Sequence, residues 1–389
     1  IQHTEQLTGF NEHLQRFLQL ENIFVHDKKA WLQIGGNTNV LDIKTLWWYT
    51  YGEAYNESHY PTSAHTFYWR RHPSLIKINN IIPLQKHLEM CQKIRKYAMP
   101  MIVNSKLTET YKQFNTHYPK IFAEIESNGM QVTNSFKMKE LITNNKVYSN
   151  YHYHTTTGRP SNAFRGFNFA AMNKQDGTRD SFCSRFENGA LVEFDFDAYH
   201  VRLIADIIDY DLPDGSIHEY FGCQYFGKKE LSKEEYEQSK KITFRLLYGG
   251  IDKDFAKIPF FGKTQIYVKE LWKQFKSNGY IETPYFKRPM HKDNLFEMNP
   301  NKLFNYQLQA SETEHNMLVL NELNEYMSEH DSKLILYTYD SFLFDFNLDE
   351  GKDKILELKN IISENGKYPV KIKAGINYGV MKDMTSKVV

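Results

Sequence analysis

LVEFDFDAYHVRLIAD, residues 191–206, joins two kinds of periodicity. Leu191, Val192, Phe194 and Phe196 make a short apolar run rich in strand-favouring side chains, which reads as a buried strand. From Ala198 to about Ile208 the apolar residues fall at helical spacing instead. Asp195 stands at the strand end, just before the change. A carboxylate there is either a solvated cap or a group presented for chemistry, and the rest of the chain has to decide which.

Downstream, Ser232 with Glu235 three residues on forms a capping box, so a helix is expected from Lys233 past Tyr248. Asn299-Pro300 supplies a cap and a first-turn proline for a long helix to about Glu329. Residues 334–338 and 342–346 are β-rich runs on either side of Tyr339-Asp340-Ser341, which predicts a hairpin with the acid at its tip. Residues 370–374 read as a final strand. Upstream, YPKIFAEIESN (118–128) is periodic as a helix and stops at Gly129. YSNYHYHTT (148–156) alternates aromatic and polar residues as a strand does, and GRPSN (158–162) reads as a turn or loop. Strands and helices mixed in this order predict an α+β fold rather than a regular doubly wound sheet.

The chain has 389 residues, enough for two to four modules at roughly 100–200 residues each. With 41% hydrophobic and 24% charged residues it can bury a sizeable core, which excludes wholesale disorder. Mean hydropathy is −0.60, and no apolar run approaches the ~18–20 residues of a membrane span. No signal peptide is visible, and the chain opens on Ile1 rather than Met. Cys91, Cys183 and Cys223 stand far apart without a CxxC pair, which argues against a disulfide framework or cysteine-built zinc site and fits a reducing, cytoplasmic compartment. Net charge is +1, with 17 Lys and Arg against 12 Asp and Glu in residues 1–150 and 31 against 35 in the remainder. That balance excludes a basic-tail protein but leaves room for basic residues lining one groove.

Three pieces carry chemistry together. Asp195 and Asp340 are isolated acids at strand ends, far apart in sequence. Brought together they suit Mg²⁺, which takes one or two carboxylates and fills its shell with substrate phosphates. Two such ions about 3.5–4 Å apart activate a hydroxyl and stabilise a leaving pyrophosphate. The backbone carbonyl of Phe196 is a natural further ligand. The third piece is the helix carrying Lys240, Phe244 and Tyr248 at i, i+4 and i+8, which share one stripe. A cation followed by two aromatics can grip a triphosphate and stack a base, although aromatics at this spacing more often belong to a core.

TTTGRPSN (155–162), FDFDAYHVRLIAD (194–206), KKITFRLLYGG (240–250), NYQLQ (305–309), YTYDSFLFDF (337–346) and the closing KIKAGINYGVMK (371–382) occur in that order. Together they resemble the bacterial DNA polymerase I family, family A, most of all its phage and metagenomic-phage members. The resemblance runs from about Tyr118 to the C-terminus. It implies a right-hand polymerase fold, with a palm from 151–210 and 306–389, fingers from 211–305 and a reduced thumb from 101–150. It implies template-directed DNA polymerase activity on primer-template DNA with deoxynucleoside triphosphates and two Mg²⁺ ions, for which Mn²⁺ can substitute. Asp195, Asp340 and the Phe196 carbonyl would hold metal. Lys240 would neutralise the triphosphate, Phe244 would stack on the incoming nucleotide and Tyr248 would sit at the template pocket. Arg159 and Gln309 would reach the minor groove at the primer end with Asn305 nearby, and Arg179 would touch the DNA backbone. DNA affinity is then expected to fall with salt. A processivity factor and a separate proofreading subunit stay open as partners, and the compartment would be a host cytoplasm.

Several positions depart from the family pattern. His200 stands where a Glu that helps exclude the 2′-hydroxyl is usual, Tyr339 where His is usual, and Ser341 where a second acid is usual. Glu193, Asp197 and Asp345 flank the ligand-bearing strands and are expected to point away from Asp195 and Asp340. Tyr236 replaces a basic phosphate contact, which Lys233, seven residues before Lys240, would supply instead. Little chain separates SNGMQVT from NKVYSNYHY, hence the reduced thumb. Residues 1–100 would be a degenerate 3′–5′ exonuclease-like remnant or a scaffold, since residues 1–150 hold only two aspartates, Asp27 and Asp42. His152 and His154 read as strand alternation rather than metal ligands. Two other readings remain. One is a single-subunit RNA polymerase, favoured by Tyr339-Asp340-Ser341 and by His200. The other is an inactive polymerase-like replication scaffold that binds DNA.

Overall fold

The computed structural model describes residues 15–52, 96 and 108–388, apart from 17, 22, 26, 163–166 and 174. Its centre is a five-stranded antiparallel sheet. In chain order the main elements are helix α1 (Thr108–Asn128), strand β1 (Gly189–Phe196), helices α2 (Tyr199–Ile207), α3 (Ile217–Phe226), α4 (Lys233–Gly249), α5 (Pro259–Asn278) and α6 (Pro300–Met327), strands β2 (Lys333–Thr338) and β3 (Ser341–Asn347), helix α7 (Lys352–Ile362), and strands β4 (Val370–Gly375) and β5 (Lys382–Asp383). The strand order is β5-β4-β1-β3-β2, with β1 in the middle.

The alternation in β1 explains which side of the sheet is covered. Val192, Phe194 and Phe196 enter the main core with residues of α2, α6 and α7. Leu191 faces the other way, into a smaller cluster with Phe136, Phe182, Ile335 and Leu343. That cover ends before the C-terminal end of β1, so the same face is left to Glu193 and Asp195. Register places Asp195 opposite Ser341, and the Phe196 amide donates to the Asp340 carbonyl at 3.0 Å. The two expected acids therefore lie at the same edge of neighbouring strands.

Local signals account for the helices. The Ser232–Glu235 capping box is formed at the start of α4, and Asn299 caps α6 with Pro300 in its first turn. The middle of α6 is buried all round although residues 311–316 are polar. Gln307, Glu312, Thr313, His315 and Asn316 spend their polar groups on neighbours rather than on solvent, and Glu314 accepts from the Tyr285 and Phe286 amides through one carboxylate oxygen.

One expectation is corrected. Residues 148–156 do not form a strand and carry only single-residue bridges, such as that between His152 and Ser161. Side chains have taken the ladder's place. The Tyr151 amide donates to Glu126 at 2.6 Å, and its carbonyl accepts from the Lys29 ammonium at 2.6 Å. The Tyr151 hydroxyl meets the Tyr337 backbone, which anchors the segment beside β2. His154 is buried, with Nε2 3.1 Å from the Thr45 hydroxyl.

Of the proposed exonuclease-like module, residues 1–14, 53–95 and 97–100 lie outside the described residues, as do 101–107 of the proposed thumb. Asp27 and Asp42 are described, and each is a helix N-cap, accepting from Ala30 and Lys44 respectively. Trp48 donates to the Thr155 carbonyl at 2.7 Å and packs on Phe114, which fastens this segment to α1 and the 155–162 loop. Among the described residues no helix is long and apolar enough to cross a membrane.

Candidate active site

Asp340 is the second residue of a two-residue turn between Thr338 and Ser341. Tyr339, the first, has φ +60°, a left-handed conformation that such turns normally reserve for Gly or Asn. The strain is held from outside. Asn316 of α6 donates to the Tyr339 carbonyl at 2.6 Å, and the Arg159 guanidinium lies 3.7 Å from the Tyr339 ring centroid. Backbone strain of this kind collects where a side chain must be aimed.

Burial raises the Asp340 carboxyl to about 6, and the negative charges of Asp195 and Glu312 push in the same direction. Burial also raises Asp195, against the pull of Lys373. Asp340 raised partly by Asp195, and Asp195 partly by Glu193, make a site short of positive charge. Oxygen donors of this kind fit a hard divalent cation. Among the described residues no group of three or more His, Cys, Asp or Glu could hold a metal by itself. The pair therefore fits Mg²⁺ sharing its shell with substrate oxygens rather than a closed protein cage. Phe196 buries its ring against Tyr199, with centroids 4.0 Å apart, so only its backbone could serve a metal.

A raised carboxyl has a stability consequence. Between about pH 4 and 6 the folded chain holds a proton on Asp340 that the unfolded chain has lost, so this group costs stability as pH rises through that window. Asp340 is crowded by protein yet keeps part of its surface in solvent, which screens it, so Asp340→Asn is expected to stabilise the metal-free protein at pH 7.5 by on the order of 1 kcal/mol. The gain should vanish below about pH 4, where both states of the wild type are protonated. Thermal melts of both proteins across pH in a chelator would check it.

The Lys240–Phe244–Tyr248 stripe is not core. Phe244 and Tyr248 are 42% and 37% exposed, while Ser239, Thr243, Leu246 and Leu247 take the buried face of α4. Their rings are parallel, 6.0 Å apart. Lys240 pairs with Glu237 at 2.9 Å and sits over Tyr236. Lys233 is an exposed first-turn residue two turns earlier. At the other end, Asn305 donates to the Tyr248 carbonyl and Asn301 to that of Gly249, so α6 closes α4. Gly250 follows with φ +108°, and a Cβ there would fall 2.5 Å from Asn301 Nδ2. Gln309 is half-buried one turn along α6 from Asn305.

His200 lies between the helix and the hairpin. Its Nδ1 contacts the Tyr248 hydroxyl, and its Nε2 lies 3.1 Å from Glu312. Glu312 also pairs with Arg159, Nε at 3.3 Å. Contacts thus run from Tyr248 through His200, Glu312 and Arg159 to Tyr339, beside Asp340.

Glu193 requires a second correction. It does not point away from Asp195. Residues two apart on a strand share a face, and Lys373 lies 3.4 Å from Glu193 and 3.5 Å from Asp195. Glu193 also accepts from Tyr378 at 3.0 Å and from Ser341 at 3.3 Å, so a carboxylate does stand beside position 341, supplied by β1. Arg179 stacks on Tyr378 at 4.5 Å and so supports this group from below. Asp197 pairs with Lys371. Asp345, also expected to point away, is corrected as well: it pairs with Leu191 in register and so shares the Asp195 face, but it stands at the far end of β3, fully buried against Arg185 and Ser184. Sequence reasoning missed Glu312, Lys373 and Tyr378. The parity of positions 193 and 195 was available to place Glu193.

No protein-family model matches the chain, and no curated protein matches it in sequence. Among solved structures it is similar to the POL domain of Pol1 from M. smegmatis in complex with DNA primer-template and dNTP, with a TM-score of 0.63 and 13% identity over 89% of this chain and 83% of that one. At that identity the likeness is one of fold: this chain has the mixed helix-and-sheet fold of a polymerase domain.

Proposed function

We propose that the chain is a family A-like, template-directed DNA polymerase that adds deoxynucleotides to a primer 3′-hydroxyl. The observation that carries this reading is the meeting of two elements. Asp195 and Asp340 share one sheet edge, and the exposed Phe244–Tyr248 face of α4 is tied to that edge through His200, Glu312 and Arg159. The similar structure was solved with primer-template and dNTP, which agrees with these partners. On this reading the sheet with most of α6 is the palm, α3 to α5 are the fingers, and residues 101–150, with α1 and the short segment after it, are a reduced thumb.

The chemistry is attack of the primer 3′-oxygen on the α-phosphorus of a nucleoside triphosphate. A P–O bond forms, the bond to the bridging oxygen breaks, and pyrophosphate leaves. Divalent cations held by Asp195, Asp340 and the Phe196 carbonyl would neutralise phosphate charge and ease deprotonation of the 3′-hydroxyl. Lys240, released from Glu237, meets the triphosphate and supplies a proton to the leaving group. Phe244 stacks on the incoming base and Tyr248 closes the pocket. Arg159, Asn305 and Gln309 address the primer end, with Lys233 and Arg179 at phosphates further out. Most of the rate comes from positioning and charge stabilisation.

A single-subunit RNA polymerase is the second reading, favoured by the Tyr339-Asp340-Ser341 turn and by His200 in place of a carboxylate. Extension of a labelled primer on a DNA template with Mg²⁺, deoxynucleotides and ribonucleotides in parallel, separates them. Deoxynucleotide-only extension supports the DNA polymerase. Equal use of ribonucleotides moves the reading to the RNA enzyme, and no extension leaves a DNA-binding scaffold.

A further inference from the structure

We propose that Glu312 is a positioning residue that fixes Tyr248 through His200 and so sets how strictly the site rejects a nucleotide with an additional sugar hydroxyl. This rests on the polymerase reading above. Glu312 is 1% exposed in the middle of α6, and its two partners come from different parts of the chain, His200 from α2 and Arg159 from the loop before β1. A carboxylate only accepts hydrogen bonds, so Nε2 carries a proton, and in the neutral imidazole Nδ1 is then left to accept from the Tyr248 hydroxyl. Glu312 thus selects one tautomer and one ring orientation of His200, and His200 holds the tyrosine.

The consequence falls on the nucleotide. A triphosphate at Lys240 lays its sugar and base along the Phe244–Tyr248 face, which is a wall only as firm as the Tyr248 ring. Arg159 balances the Glu312 charge while stacked on Tyr339, next to Asp340. Stability alone gives no reason for this arrangement, because a buried ion pair rarely outperforms an apolar side chain of the same size. Precise placement of a pocket wall does give one.

The test compares wild type, Glu312→Ala and Glu312→Gln in steady-state primer extension with deoxy- and ribonucleotides. Glu312→Ala should raise the deoxynucleotide KM about tenfold with kcat within about threefold, and lower the deoxy-to-ribo ratio of kcat/KM at least ~fivefold. Glu312→Gln keeps an acceptor for the Nε2 proton and should restore most of that ratio. Unchanged KM and ratio in Glu312→Ala overturn the proposal. So does a fall confined to kcat that follows the loss of folded protein in a thermal melt. A wild type that extends no primer sinks the polymerase reading instead. The histidine ¹⁵N spectrum, with His200 assigned by His200→Gln, then still decides the relay. An Nε2-protonated His200 that becomes a tautomer mixture in Glu312→Ala supports it, and identical spectra reject it.

Discussion

Asp340→Asn is expected to cut single-turnover primer extension by about 10³-fold or more while primer-template affinity stays within a few-fold of wild type. The substitution preserves the shape of the turn and the backbone bond from Phe196, so the hairpin tip stays where Tyr339 and Asn316 hold it. What it removes is the charge. Asp195 alone leaves the cation one carboxylate where the site offers two, and Lys373 already competes for it. Asp345→Asn, five residues along the same strand, provides the contrast. Its carboxylate lies at the far end of the same face, opposite Leu191 rather than Asp195, and is the sole charge partner of Arg185 among the described residues. Breaking that buried pair should cost roughly 3–5 kcal/mol of stability with little change in kcat for the protein that remains folded. Fluorescence anisotropy for DNA binding, quenched-flow extension and chemical denaturation separate the two outcomes. Extension by Asp340→Asn within tenfold of wild type would remove the acid pair from the account.

Phe244→Ala is expected to raise the KM for the complementary nucleotide about tenfold to a hundredfold, with a smaller effect on kcat. Stacking on an aromatic ring is worth roughly 1–3 kcal/mol per base, and each 1.4 kcal/mol is a factor of ten in affinity. The ring bears no structural duty that would confuse the result. It is 42% exposed, and its contacts are the neighbouring Tyr248 and His218 rings. Ile242, part-buried on another face of α4, serves as a control whose change to valine should leave KM alone. A Phe244→Ala enzyme with wild-type KM would mean that the nucleotide does not lie along this stripe.

How much of this was legible in the sequence depended on whether the signal was local. The capping box at Ser232, the Asn299-Pro300 helix start and the Tyr339-Asp340 turn are decided by a few adjacent residues, and all three stand where their spacing put them. The stripe at 240, 244 and 248 was legible as a stripe. Whether it faced the core or the cleft was not, because that depends on α3 and α6. Residues 148–156 mimic a strand because their aromatics alternate, yet the partners of their backbone, Lys29 and Glu126, are long-range and carry no local trace. Glu193 was misplaced by an error of parity rather than by missing information. Glu312 left only a faint mark. The run SETEHN at 311–316 reads as a solvated helix face, but Glu312 has Leu308 and Asn316 four residues to either side and no Lys or Arg within reach on its own helix. A charge without a helical partner inside a long helix is one that a distant residue must satisfy, and here two do.

The account's central claim is that the chain copies a template. Insertion of a single nucleotide opposite each of the four templating bases, with Mg²⁺ and each deoxynucleotide offered alone, tests it most directly. The account predicts that the complementary nucleotide is joined to the primer in all four cases, at least about a hundredfold more efficiently than the other three, and that chelating the metal stops it. Insertion that ignores the template base, or none with any nucleotide while the DNA stays bound, would contradict it.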